Sequence, residues 1–219
     1  MSVTISEQQL EEFSTAARQV AQHGLVLCGS GNLSWRVDHE HLLITATGSW
    51  LAEMSADKIA LCRIADGMSL NGKKPSIEIG FHRVILHERQ DINVVLHFQS
   101  PYATTLACQK TQESVFAVIP EIPYYIGPVA VVPYLNPGSD ELAQTVISAM
   151  RAHNLAMMRN HGQVTVGKDF REALQRAIFF EFACGILLRA GDQIQVLSED
   201  AMTFLYQARE KSMQQSRAV

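Results

Sequence analysis

His97, Gln99 and His161 are the residues of this 219-residue chain whose types and spacing could hold a metal ion. The run Val94-Val95-Leu96-His97-Phe98-Gln99 reads as a buried strand. Residues two apart on a strand share a face, so His97 and Gln99 look into one pocket while Leu96 and Phe98 face the core. His161, in Arg159-Asn160-His161-Gly162, closes the site from far downstream. Two imidazoles plus a third ligand that leaves a position open form the donor set of a catalytic zinc or similar divalent ion. The third ligand here is a neutral carboxamide, a weaker donor for zinc that selects less sharply among divalent ions.

A second group surrounds Pro75-Ser76-Ile77-Glu78, where a helix is expected to begin. A helix start exposes unpaired N–H groups and the positive end of the dipole, so an anion can dock there. Ser76 serves either as a phosphate ligand or as the helix cap. Glu78 and His82, one turn apart, put two titratable groups on one face. Gly29, Gly31 and Gly48 read equally as turn glycines or as phosphate-loop glycines.

These residues need a scaffold, and the apolar spacing supplies one. Ser6 followed by Gln9 has the capping-box pattern and opens a helix from about Glu7 to His23. Leu33 to Val37 and Leu42 to Ala46 form a hairpin, Ile59 to Ile64 a short strand, and Ile77, Phe81, Val84 and Ile85 one face of a second helix. Tyr124 to Tyr134 reads as short strands and loops, followed by a helix capped by Ser139 or Asp140. A long helix from about Phe170 to Ala190 starts at Asp169 and stops at Gly191. Helices and short strands interleave around one sheet, which predicts a single α/β domain over residues 1–219.

With 18 basic against 22 acidic residues and no block of like charge, nothing draws the chain to nucleic acid or to an anionic membrane, and a small-molecule partner is expected. The most apolar helix, Ala177 to Leu188, is interrupted by Glu181 and is too short to span a bilayer. Four scattered cysteines and an N-terminus without a basic, then apolar, leader point to buried, reduced thiols and a cytoplasmic protein.

Taken in order, GSGNLSWRV, TATGSWL, KPSIEIGFHRVIL, VVLHFQSPYATT, IPYYIGPVAVVPY, PGSDEL and MMRNHGQVTVG resemble the class II aldolase/adducin family from about residue 8 to residue 190. The resemblance implies an α/β/α sandwich with a mostly antiparallel sheet and a divalent-metal-dependent aldolase. Its substrate would be a ketose 1-phosphate of the L-fuculose 1-phosphate type, cleaved to dihydroxyacetone phosphate and a small aldehyde. It assigns His97, His161 and Gln99 to the metal, which would be zinc, with manganese or cobalt as alternatives. Asn32, Thr47, Gly48 and Ser76 fall to the substrate phosphate, and Glu78 and Tyr124 to catalysis. Tyr124 would act in the site of a neighbouring subunit of a homotetramer, and His82 matches a recurrent position. Gln99 stands where the family carries a second metal histidine, and Ile77 where it carries a second phosphate serine. The resemblance also admits an epimerase, dehydratase or decarboxylase, or a non-catalytic adducin-like assembly module. The segment from Glu199 to Val219, with Tyr206, is a candidate cover for the site.

Overall fold

The computed structural model describes residues 3–110 and 115–217. Seven strands form one sheet: β1 (Asn32–Arg36), β2 (His41–Thr45), β3 (Ile59–Arg63), β4 (Val94–Phe98), β5 (Val129–Val132), β6 (Leu155–Met158) and β7 (Gly162–Gly167). Their order across the sheet is β3-β2-β1-β4-β7-β6-β5. Neighbours are antiparallel except β5 and β6, which run parallel through a crossover helix. The helices are α1 (Glu7–Gln22), α2 (Ile79–Glu88), α3 (Pro101–Ala107), α4 (Asp140–Met150), α5 (Phe170–Ala190) and α6 (Glu199–Arg217). This is the α/β class expected, with a mostly antiparallel sheet between helices.

Strand alternation divides the core in two. Leu33, Leu96 and Phe98 pack with Phe13 of α1, Ala103 of α3 and Phe180 of α5. Ile44, Val95 and Val164 pack on the other face with Phe81 of α2 and Leu142 of α4. Each fully buried side chain of this kind contributes about 1.5–3 kcal/mol of transfer free energy. β4 lies in the middle of the sheet, buried along its whole length.

The local signals for α1 and α5 act as expected. Ser6 Oγ accepts from the Gln9 N–H at 3.1 Å, and Gln9 Oε1 accepts from the Ser6 N–H at 3.0 Å. Asp169 caps α5, and Gly191 ends it. Glu181, the charge inside the apolar stretch of α5, accepts from Ser100 Oγ and from the Tyr102 and Ala103 N–H groups. It therefore satisfies the start of α3, a helix that periodicity alone does not reveal.

Three expectations need correction. α2 begins at Ile79, with Glu78 at the N-cap position, because Ser76 Oγ accepts from the Glu78 N–H at 3.3 Å in a tight turn before the helix. Ser76 is therefore not the cap. The start of the loop-rich middle is a helical turn, Ile122–Ile126. Cys62 and Cys184 are buried, but Cys28 and Cys108 are exposed; all four thiols are free. α6 packs on the Ile122–Ile126 turn. Among the described residues, no helix is long and apolar enough to cross a membrane.

Candidate active site

The pairing of β1 with β4 places the first site residues. Asn32 lies opposite His97 and Ser34 opposite Val95, so Asn32, Ser34 and His97 share the face that looks toward α2. The tight connection from β6 to β7 then swings His161 over the end of β4, with Asn160 in the left-handed region at φ 52°. Two loops complete the wall: the Thr47 N–H donates to the Lys74 carbonyl at 2.9 Å, and the Ser76 N–H to the Thr45 carbonyl at 3.0 Å. Gly31 makes a close approach to β4. Its φ is +78°, and a Cβ there would lie 2.7 Å from the His97 carbonyl oxygen.

These elements enclose a cavity of about 310 Å³ lined by Asn32, Thr47, Gly48, Ser76, Glu78, His97, Gln99 and His161 among others. All the expected phosphate and metal positions thus meet in one place. The strand stops at Phe98, so Gln99 reaches the cavity from just beyond β4. Tyr124 does not join them. It lines a separate cavity of about 690 Å³ with Arg176, Arg209 and Lys168. Ile77 is largely exposed at the cavity edge, close to Gly138. Among the described residues no lysine or arginine lines the smaller cavity, so an anion there would rest on hydroxyl and N–H groups.

Glu78, His97 and His161 offer ligand atoms that all lie within 4.8 Å of one another. His97 Nε2 stands 3.5 Å from Glu78 Oε2, and His161 Nε2 stands 3.5 Å from Glu78 Oε1. The Nδ1–H of His97 donates to the Gln163 carbonyl at 2.9 Å, which leaves Nε2 with its lone pair toward Glu78. Glu78 Oε1 and His161 Nδ1 are buried without a hydrogen-bond partner. A buried carboxylate oxygen left bare beside two imidazoles is costly by itself and is the donor set a divalent ion satisfies. The residues present therefore fit a metal, with Glu78 supplying the charge that Gln99 lacks.

Burial pushes the Glu78 carboxyl up, but His97, the Asn32 hydrogen bond, His161 and His82 together outweigh it and hold it below the usual carboxylate value. Burial depresses His161 to about 4, with His97 adding to the effect and Glu78 opposing it. Burial likewise depresses His82 to about 3, against the pull of Glu78. Both imidazoles are neutral at physiological pH.

A pH dependence of stability follows for the metal-free protein. The unfolded chain binds a proton near the ordinary value of 6.5 that folded His82 and His161 refuse down to about 3 and 4. Their contribution is full above 6.5 and is lost as pH falls below it. Each histidine should cost about 2 kcal/mol between pH 7 and pH 5. Urea denaturation at the two pH values measures the loss, and an unchanged midpoint would contradict the neutral, buried state.

Gln99→His tests the third donor. An imidazole at this position should tighten zinc binding by at least about tenfold if the side chain faces the ion. Competition against a chromophoric chelator reads the change. Unchanged affinity assigns the third donor to Glu78.

Ser34 escaped the sequence reading. Its position two residues after Asn32 on a strand was the available signal, since it places both on one face.

The model of the Class II Aldolase and Adducin N-terminal domain matches residues 11–188. The 3-oxo-tetronate 4-phosphate decarboxylase of Escherichia coli (strain K12) is 31% identical over 191 residues, 85% of this chain and 90% of that protein. An L-fuculose phosphate aldolase of Methanococcus maripaludis (strain C7) is 33% identical over 148 residues, 68% of this chain and 78% of that protein. The crystal structure of YgbL from Klebsiella pneumoniae superimposes with a TM-score of 0.85 at 29% identity, covering 92% of this chain and 100% of that one. With the family match over residues 11–188 and a fold shared with YgbL along 92% of its length, the chain belongs to the class II aldolase and adducin family.

Proposed function

We propose that this chain is a divalent-metal-dependent lyase that removes carbon dioxide from a small phosphorylated 3-oxo acid of the 3-oxo-tetronate 4-phosphate kind. The carrying observation is a single cavity that holds one carboxylate and two imidazoles beside hydroxyl groups, in a chain 31% identical over 85% of its length to a 3-oxo-tetronate 4-phosphate decarboxylase. Decarboxylation breaks the C1–C2 bond and leaves its electron pair on C2, conjugated with the C3 carbonyl as an enediolate. Carbon dioxide leaves without a proton, so the protein must deliver only one, to C2.

In this reading Glu78 relays that proton. Its carboxylate is ionised in the free site, and the negative charge of a bound substrate raises its affinity for a proton. Thr47, Gly48, Ser76 and Asn32 receive the phosphate. His97 and His161, with Glu78 or Gln99 as third donor, would hold a divalent ion, which would supply Lewis-acid polarisation of the carbonyl. Zinc suits the imidazoles, and manganese or cobalt suits a donor set richer in oxygen.

The relatives support this order of readings. The decarboxylase shares 31% identity over 85% of the chain, a longer match than the aldolase offers. The aldolase reading remains the second one, because cleavage of a ketose 1-phosphate leaves the same enediolate of dihydroxyacetone phosphate. It also requires a proton to be taken from the hydroxyl that becomes the aldehyde. Tyr124 of a neighbouring subunit would perform that task in a homotetramer, with residues 1–219 as one functional unit.

The full chain, loaded in turn with zinc, manganese and cobalt, should be given 3-oxo-tetronate 4-phosphate and, separately, L-fuculose 1-phosphate. Carbon dioxide and dihydroxyacetone phosphate from the first, with kcat/KM above that for the second, is the expected result. Faster aldehyde release from the second substrate would favour the aldolase. Absence of both, in a protein that retains no metal, would overturn the lyase reading.

A further inference from the structure

A directional chain of hydrogen bonds runs behind Glu78. Ser34 Oγ meets His82 Nδ1 at 2.7 Å, His82 Nε2 meets Asn32 Oδ1, and Asn32 Nδ2 donates to Glu78 Oε2 at 2.8 Å. All four side chains are buried, with Ser34 and His82 wholly inaccessible. The alternative Asn32 rotamer, with its amide turned over, would set its carbonyl oxygen against the ionised carboxylate and its N–H group against His82. Two acceptors in contact at this burial are strongly unfavourable. The carbonyl of Asn32 therefore faces His82, the proton of the neutral ring sits on Nε2, and Nδ1 accepts from the Ser34 hydroxyl. Every bond points its hydrogen toward Glu78.

We propose that His82 is a positioning residue which, backed by Ser34, locks the Asn32 carboxamide and so anchors Glu78 by one oxygen only. Oε2 is tied down, and Oε1 is left bare on the side of His161. The two carboxylate oxygens thereby acquire different tasks: one fixes the side chain, and the other meets the ion or carries the proton. Asn32 is also redefined. Its Oδ1 and one N–H are spent inside the protein, so only its remaining N–H can reach a phosphate.

His82 belongs to α2 and Asn32 to β1, so the contact also joins the helix that presents Glu78 to the strand opposite His97. Phe81 stacks on the His82 ring at 4.7 Å between centroids and restrains it from one side. An apolar ring of similar size at position 82 would keep the packing but remove the donor to Asn32. Glutamine would keep an N–H donor.

This inference rests on the reading of Glu78 as the ion-facing, proton-carrying group, and it is tested without turnover. Cobalt(II) affinity should be measured by its visible absorption in the full chain, for wild type, His82→Phe and His82→Gln, with folding checked by circular dichroism. Loss of a partner behind a metal-ligating group weakens binding by about 10–100-fold. His82→Phe should show that loss, and His82→Gln should return affinity to within about threefold of wild type. A folded His82→Phe protein that binds cobalt as wild type does overturns the proposal, as does equal weakening in both variants. Nitrogen NMR of wild-type protein labelled in histidine supplies the second measurement, which does not depend on any variant folding or on cobalt uptake. A proton on His82 Nε2 supports the chain, and a proton on Nδ1 overturns it. A failed lyase reading would appear separately, as absent catalysis in a protein whose cobalt affinity still responds at position 82.

Discussion

Glu78→Gln should lower kcat by about a thousandfold while leaving the fold intact, the range expected when a positioned proton-transfer group is removed. The substitution preserves shape, and the amide oxygen can still accept from Asn32. What disappears is the negative charge between His97 and His161 and the capacity to hold a proton for C2. KM for the phosphorylated substrate should change little, because the residues assigned to the phosphate are untouched. Stability supplies an independent reading. The surroundings of Glu78 hold its carboxyl below the usual value, so the folded protein favours the ionised form and the amide loses that contribution. The metal-free variant should therefore melt below wild type at neutral pH. A kcat within threefold of wild type would remove Glu78 from the chemistry.

Gly162→Ala should damage both stability and the metal site through one methyl group. Gly162 has no positive φ, so its requirement for glycine is steric. An added Cβ would fall 2.6 Å from the Phe98 carbonyl oxygen, 2.7 Å from Gln99 Cγ and 3.0 Å from His97 Cε1. Two of these neighbours are backbone or a wedged ring, so β4 and β7 must part where they are paired at Phe98 and Gln163. Overpacking of this kind costs about 1–3 kcal/mol. The same displacement moves His97 relative to His161 and should weaken cobalt binding by about tenfold or more. Urea denaturation and a cobalt titration measure the two effects, and a variant unchanged in both would show that the strands yield freely.

The parts of this molecule legible in its sequence are those governed by neighbours along the chain. The α1 capping box, the β1–β2 hairpin, the Asp169 start and the Gly191 stop of α5 depend on residues a few positions apart, and they stand as expected. The shared face of His97 and Gln99 was likewise a local matter of strand alternation. The start of α2 was misplaced because Ser76 has the chemistry of a cap but spends its oxygen on the turn before the helix. α3 was missed because its start is satisfied by Glu181, some eighty positions away, which in sequence looks only like an interruption of an apolar helix. The residues that line the candidate cavity are legible through the order of their motifs. That Glu78 stands as close to the two histidines as a ligand would, and that Ser34 and His82 stand behind it, requires the register of β1 on β4, which no local pattern encodes.

The central place of β4 has a further consequence for how the site behaves in time. A strand paired on both sides and covered on both faces loses its amide protons only when the whole domain opens, whereas edge strands and terminal helices fray on their own. His97 is carried by that strand, so thermal fluctuations short of global unfolding leave its position untouched. His161 and the Thr47 and Ser76 loops lie at strand ends and in connections, where motion is cheaper. The His97 side of the cavity is thus its slow, rigid wall, and adaptation to substrates of different length falls to the loops that face it.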